Sequence, residues 1–350
     1  MKKFLEEILE QPGAIENALS FYESSEGQKL LNSIANIISD NKIEQIIFTG
    51  MGSSYFTSHA ASCLFNELKI HSFVINASEL LHYNLSLFER ETLLVCLSQS
   101  GESYEVQEII KKLPASVHCV GIINEENSSL ALNADVALLC KAGKEEMTST
   151  KTYVATSLVS FILGWYISGN WKDEEYNKIN RLITNFKSVL TNYKPWIDNT
   201  LSFLGDIQTI QIIARGPAFS TASQSALMFK EALGIPASGI LGGEFRHGPM
   251  EMVKEGFKSI LFAAKGKTLR QSLKMAEDII EFGGKVLLIT NVKLQFQDEK
   301  IMQIYIDEPD EYLFSIQSIL PVQLFVDSYA KSKGFEAGSF SRGAKVTEVE

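Results

Sequence analysis

Apolar and polar positions along this chain follow two alternating rhythms. Runs of Val, Ile and Leu with little polar interruption occur in IEQIIFTG (43–50), TLLVCLS (92–98), VHCVGIIN (117–124) and DVALLC (135–140). Uninterrupted apolar runs of about four to eight residues read as strands buried on both faces of a parallel sheet. Between them stand helix-length stretches, SYFTSHAASCLFNEL (54–68) and SYEVQEIIKKL (103–113). Alternation of strand and helix predicts βαβ units.

The same order then returns. IEQIIFTGMGSSYF (43–56) is matched by DIQTIQIIARGPAFSTA (206–222), with Gly50 and Gly216 166 positions apart. TLLVCLSQSGES (92–103) is matched by KSILFAAKGKT (258–268), with Gly101 and Gly266 165 apart. VHCVGIIN is matched by KVLLITN (285–291), and DVALLC by IMQIYI (301–306), at separations of 168 and 166. Four landmarks at nearly one offset indicate an internal duplication. The expected fold class is α/β, with two doubly wound parallel-sheet, flavodoxin-like domains in tandem. The expected divisions are N-terminal helices over 1–38, a first domain over 39–170, linker helices over 171–204, a second domain over 205–340 and a C-terminal tail over 341–350. The N-terminal segment reads as a helical pair broken at Gln11-Pro12-Gly13. The linker carries Ile179, Leu182, Ile183, Phe186, Val189 and Leu190 on one helical face, with an interruption near Pro195.

Length agrees with this division, because 350 residues suit two domains of about 150 each. No apolar run approaches the ~20 residues that span a membrane. The start MKKFLEEILEQPG has no signal-peptide core, so a cytoplasmic location is expected. A net charge of −10 disfavours nucleic acid, whose phosphate backbone needs a basic face. It leaves open a small phosphate held by amides and hydroxyls. Cys63, Cys96, Cys119 and Cys140 stand at no metal-ligand spacing and read as buried thiols. No metal and no cofactor is expected.

Ligands of open parallel sheets bind at the carboxyl ends of strands. Two such ends in the first half are rich in hydroxyls: Gly50-Met51-Gly52-Ser53-Ser54 and Ser98-Gln99-Ser100-Gly101-Glu102-Ser103. A strand, a small polar turn and a helix start place amides and hydroxyls where a phosphate is favoured. Each turn alone is equally a tight turn with a capping serine. Together they predict a phosphate site. The second half keeps the turns as Ala214-Arg215-Gly216-Pro217 and Ala264-Lys265-Gly266 but lacks the hydroxyls. One phosphate site per chain, in the first half, is the expectation. A third polar loop, Lys144 to Lys151, opens a helix and reads either as its cap or as a ligand contact. The second half supplies acid–base candidates, Glu231 in FKEA and His247 in GGEFRHGPME (242–251). Both types can be tuned toward neutral pH for proton transfer.

These strings also carry a resemblance. MGSSY (51–55), LSQSGES (97–103), TSTK (148–151), ARGP (214–217), KE (230–231), GEFRHGP (243–249) and AKVTEVE (344–350) resemble tandem SIS (sugar isomerase) proteins, and most the isomerase half of the glucosamine-6-phosphate synthases. The likeness covers almost the whole chain, beginning at FLEEILEQPGAIENAL (4–19). It implies that Gly52, Ser53, Ser54, Ser98, Gln99, Ser100 and Ser103 surround a sugar 6-phosphate. It implies that Met147, through its backbone, and Ser149 line the sugar. Glu231 would carry a proton between C1 and C2, and Lys345 would close over the open-chain sugar. His247 would assist ring opening and be donated across a homodimer.

Departures bear on the reaction. Residue 2 is Lys, not the nucleophilic Cys of the synthases' glutaminase, and the sequence begins where their isomerase half would. Glutamine-dependent amino transfer is therefore not expected of it alone. Gln224 and Met228 stand where the synthases carry Glu and a catalytic Lys. Met can neither move a proton nor form a Schiff base. The expected activity is a phosphosugar isomerase or isomerising amino-sugar-6-phosphate deaminase. The alternatives are a ketosamine (fructosamine)-6-phosphate deglycase, which GEFRHGPME also resembles, and a non-catalytic sugar-phosphate sensor.

Overall fold

The computed structural model describes residues 4–338. Lys345 and the tail that contains it lie outside the described residues. The chain divides into two compact units, one comprising residues 10–181 and the other residues 4–9 with 182–338. The division falls inside the helix Asp173–Thr191. That helix and the next, Lys194–Leu204, occupy the stretch expected to be linker, and the second opens with Pro195 in its first turn.

In the first unit, β1 (Gln45–Gly50), β2 (Ser72–Asn76), β3 (Thr92–Ser98), β4 (His118–Ile123) and β5 (Val136–Leu139) form one parallel sheet in the order β2-β1-β3-β4-β5. In the second, β6 (Ile210–Ala214), β7 (Ala237–Leu241), β8 (Lys258–Ala263), β9 (Lys285–Thr290) and β10 (Ile301–Tyr305) repeat it as β10-β9-β8-β6-β7, again all parallel. The duplicated apolar runs therefore fold as duplicated doubly wound sheets. Every residue of β1, β3 and β6 is buried, as their lack of polar alternation requires.

Each sheet is covered by its own helices. In the first unit Ile47, Leu94 and Cys96 pack with Val106 and Ile109 of the helix Tyr104–Lys111. In the second, Ile213, Leu261 and Leu288 pack with Met275 and Ile279 of the helix Leu269–Glu281. The helix Lys151–Ile167 is buried continuously from Lys151 to Trp165, which explains a sequence with no polar face. Its one buried cation, Lys151, meets Glu10 at 2.5 Å. Cys96, Cys119 and Cys140 are buried free thiols, and Cys63 is half-buried. Burial pushes the Cys140 thiol up to about 12.

The N-terminal segment differs from the expected pair. It forms three helices, Phe4–Leu9, Gln11–Glu23 and Ser25–Asp40. The first break falls at Glu10, directly before Gln11-Pro12-Gly13, which opens the second helix, because proline in a first turn removes an N–H that has no helical partner. The second break falls at Ser24, whose hydroxyl caps the third helix by accepting from Gly27 N at 3.3 Å. Among the described residues no helix is long and apolar enough to cross a membrane.

Candidate functional site

Both hydroxyl-rich turns lie at the point where the first sheet changes direction. β1 pairs with β2 on one side and β3 on the other, and Thr49 stands opposite Cys96. The turns that leave β1 and β3 are therefore neighbours at the carboxyl edge, where open α/β sheets form a crevice.

The first turn leaves its helix start without a side-chain cap. Gly52 takes φ 53° at the N-cap of the helix Ser53–Glu67, a left-handed backbone that suits glycine. Having no side chain, it offers no cap. The Ser53 and Ser54 hydroxyls, both half-buried, make no hydrogen bond among the described residues. Ser54 N and Tyr55 N already donate to Met51 O at 3.1 and 3.4 Å, so this helix start offers an anion the Ser53 amide and the two hydroxyls.

The second turn is tied down more tightly. Ser98 is buried, and its Oγ accepts from Gly101 N at 3.1 Å and bonds Ser103 Oγ at 3.1 Å. Ser100 Oγ accepts from Glu102 N at 3.1 Å. Gly101 has φ 68°, and a Cβ there would lie 2.0 Å from Ser128 Oγ, so the turn requires glycine. Its carbonyl accepts from Gln107 Nε2 at 2.6 Å and from Leu130 N at 3.1 Å. Ser103 is the N-cap of the helix Tyr104–Lys111 yet makes no capping bond, because its hydroxyl is turned to Ser98. A second helix start at the crevice is thus left without a side-chain cap.

Sequence reasoning missed Asn124, which fastens this turn to the loop after β5. Its N–H donates to Gln99 O at 3.1 Å, its Nδ2 to Gly143 O at 2.9 Å, and its Oδ1 accepts from Ala142 N at 3.0 Å. The available signal was a polar residue directly after an apolar strand run. Further along that loop Glu145 is buried and accepts from Thr150 N (2.9 Å), Thr150 Oγ1 (3.1 Å), Thr152 N (3.1 Å) and Thr152 Oγ1 (2.5 Å). Such charge-assisted bonds are the strong class, and they close the start of the helix Lys151–Ile167 from within. Met147 is buried, and half-buried Ser149 bonds Thr152 Oγ1 at 2.9 Å through its hydroxyl. The loop is thus a capped helix start, and it rises from the carboxyl edge of the same sheet.

Glu231 and His247 belong to the second unit. Glu231 is half-buried in the last turn of the helix Ala218–Leu233. Gln224 and Met228, seven and three residues before it, are fully buried on the neighbouring turns. His247 is exposed after the short helix Gly242–Arg246, and its N–H donates to Glu244 O at 3.0 Å. Next to it Arg246 meets Asp278 at 2.7 Å, and Lys274 meets the same carboxylate at 2.8 Å. Burial works to raise the Asp278 pKa, but the hydrogen bonds from Lys274 and Arg246 prevail and hold it below its ordinary value. Arg215 lies against Gly242; burial and then the nearby Arg246 charge lower its pKa. Among the described residues no three His, Cys, Asp or Glu side chains converge as a metal site.

Comparison with known proteins settles the family. The SIS domain matches the chain twice, over residues 37–163 and 203–329. The chain belongs to the SIS domain family. Each match covers one of the two sheets, so the duplication is one of SIS domains. The chain is 28% identical over 363 residues to a glutamine–fructose-6-phosphate aminotransferase [isomerizing] of Pyrococcus horikoshii, an alignment covering 99% of this chain and 57% of that protein. The SIS pair thus spans little more than half the length of that curated relative. Among solved structures it is similar to the C-terminal domain of a glucosamine-fructose-6-phosphate aminotransferase from Francisella tularensis, with a TM-score of 0.80, 23% identity, and 97% and 98% of the two chains covered. It is also similar to a glucosamine-6-phosphate deaminase from Thermotoga maritima, with a TM-score of 0.68, 21% identity and 96% of each chain covered. These two likenesses establish the tandem SIS fold.

Proposed function

We propose that this tandem SIS protein is an enzyme that binds a hexose or hexosamine 6-phosphate and moves a proton between C1 and C2. The observation that carries the reading is the pair of uncapped helix starts, lined by Ser53, Ser54, Ser98, Ser100 and Ser103, at the switch point of the first sheet. Amides and hydroxyls held in place before the ligand arrives suit a dianionic phosphate, since little ordering remains to be done on binding. Gln99, Met147 and Ser149 would then bound the sugar.

In the isomerase form, His247 moves a proton between the ring oxygen and O1 to open the sugar. The Glu231 carboxylate removes the C2 proton of the aldose, an enediol forms, and the same proton is returned to C1. In the deaminase form the same transfer on a 2-amino sugar gives a C2 imine, to which water adds before ammonia leaves. Well-placed proton transfer contributes about 10²–10⁴-fold to such a rate. We place His247 on the partner subunit of a homodimer, in keeping with the family resemblance, and Lys345 over the open-chain sugar. Incubation with a panel of hexose, hexosamine and fructosamine 6-phosphates, read by product mass, tests the reading. Ketose from aldose, or ammonia from glucosamine 6-phosphate, supports it; absence of turnover with every hexose and hexosamine overturns it.

A second reading is favoured by one feature. Met228 is fully buried where a Schiff-base lysine would be needed for amino transfer. A Glu–His pair without that lysine suits a deglycase. There Glu231 would remove the C1 proton of a fructosamine 6-phosphate and return it at C2. The resulting C1 imine adds water and releases the amine. Glucose 6-phosphate and free amine from the fructosamine member of the panel identify this case, and Glu231→Gln should abolish it.

A further inference from the structure

The second repeat has the switch-point turns of the first, and they are in contact with a side chain. A Cβ on Gly266 would lie 2.4 Å from Glu311 Oε2 and 2.8 Å from Oε1, so only glycine lets the carboxylate come this close. A Cβ on Gly216, in the neighbouring turn, would be 3.8 Å from Oε1. The Glu311 carboxylate therefore rests at the ends of both β6 and β8, where the second sheet changes direction.

Its position is built rather than incidental. Asn291, directly after β9, accepts from Lys265 N at 2.5 Å and donates to Glu308 O at 2.6 Å. Glu308 Oε1 accepts from Asp310 N at 3.0 Å, and Asp310 Oδ1 caps Tyr312 N and Leu313 N at 2.9 and 3.1 Å. These bonds fix the first turn of the helix Glu311–Gln317 against the turn that carries Gly266.

Glu145 stands 166 positions before Glu311, at the offset of the duplication. The two have opposite fates. Glu145 is buried and accepts from four donors of Thr150 and Thr152, and the atoms nearest the crevice glycines Gly50 and Gly101 belong to other residues. Glu311 lies on the crevice glycines of its own sheet. The turns differ in step: at 165 positions after Ser98, Ser100 and Ser103 come Ala263, Lys265 and Thr268. Where hydroxyls line the turn the glutamate is elsewhere, and where a lysine replaces the middle hydroxyl the glutamate is present.

We infer that the second repeat retains an anion site that is closed by its own carboxylate, Glu311, and that removing this group opens it to a phosphate-class anion. The inference rests on the reading of the first repeat's turns as a phosphate site, and deepens it: one chain holds one phosphate because the other cradle is filled from within. The ligand side would be Lys265, the turn amides near Gly216 and Gly266, and the start of the helix Leu269–Glu281.

Calorimetric titration of the full chain with inorganic phosphate and with glucitol 6-phosphate separates the two repeats. The wild type is expected to take one glucitol 6-phosphate per chain. Ser98→Ala/Ser100→Ala is expected to lose that site. Adding Glu311→Ala to this background should restore one phosphate per chain, with a Kd of the order of 1 mM for so open a site. A further Lys265→Ala should abolish it. Glu311→Ser, which keeps a polar residue at the helix start, repeats the test, and thermal melting confirms that each variant is folded. Folded Glu311→Ala and Glu311→Ser variants that bind no phosphate would overturn the inference. Absence of ligand on the wild type would contradict only the first-repeat site, because the gained site is measured with those serines already removed.

Discussion

At the end of β3 stand Ser98, Ser100, Gly101 and Ser103; at the end of β8 the same places hold Ala263, Lys265, Gly266 and Thr268. The sheets beneath them share strand order and direction. The strands after them even end alike, Asn124 and Asn291 each tying the switch-point turn to the loop beyond the last strand. Duplication thus preserved what the sheet needs and let the turns diverge. Buried strands are constrained on both faces, whereas a turn residue that only meets a ligand can change without loss of packing. The first repeat kept the hydroxyls, and Glu231 and His247, the groups proposed for proton transfer, lie in the second.

The largest effect should come from the second repeat. Glu231→Gln is expected to lower kcat by about 10²–10⁴-fold, while sugar-phosphate affinity changes little. A comparable loss of binding would instead make Glu231 part of the grip. Next comes the first repeat. Ser98→Ala/Ser100→Ala removes hydrogen bonds to a charged group, each worth about 1.5–3 kcal/mol, so KM should rise by about 10²–10⁴-fold with kcat less affected. Equal loss in kcat alone would break the proposed division of labour.

A glycine pair sharpens the contrast in stability. Gly101→Ala meets both a left-handed backbone and the fixed Ser128 side chain, and is expected to cost about 1–3 kcal/mol. Gly266→Ala meets only the far end of Glu311, which can swing aside, and should cost less than about 1 kcal/mol. Urea denaturation of both variants checks the order. The smallest effect is on acid stability. The depressed Asp278 pKa means that its ion pairs stabilise the fold fully above the ordinary carboxyl value of 3.8 and that this contribution is lost as pH falls through the lower folded value. Asp278→Asn should flatten the fall of the urea midpoint below about pH 4. An unchanged slope would show that Arg246 and Lys274 do not hold the carboxylate in solution.

Much of this was legible in the chain itself, for identifiable reasons. Strands buried on both faces must be apolar throughout, so β1, β3, β4 and β5 and their repeats stood out. β2 and β7 did not. Each lies at a sheet edge and is largely half-exposed, and β7 reads ASGIL, with a Ser and a Gly that leaves room for the helix backbone at Ser223. The hydroxyl turns were legible because chemistry and fold both demanded small residues there. The opposite fates of Glu145 and Glu311 were not, because they depend on which way two side chains turn from equivalent loops. Ser103 stands at an N-cap position, and only the Ser98 hydroxyl 3.1 Å away shows why it caps nothing.

The most direct test is a crystal structure of the chain with glucitol 6-phosphate. The phosphate is expected between Ser53-Ser54 and the Ser98–Ser103 turn, with the C1 end against Glu231 and a His247 from one subunit or its partner. A phosphate bound elsewhere, or a C1 atom farther than a side chain's reach from Glu231, would contradict the account.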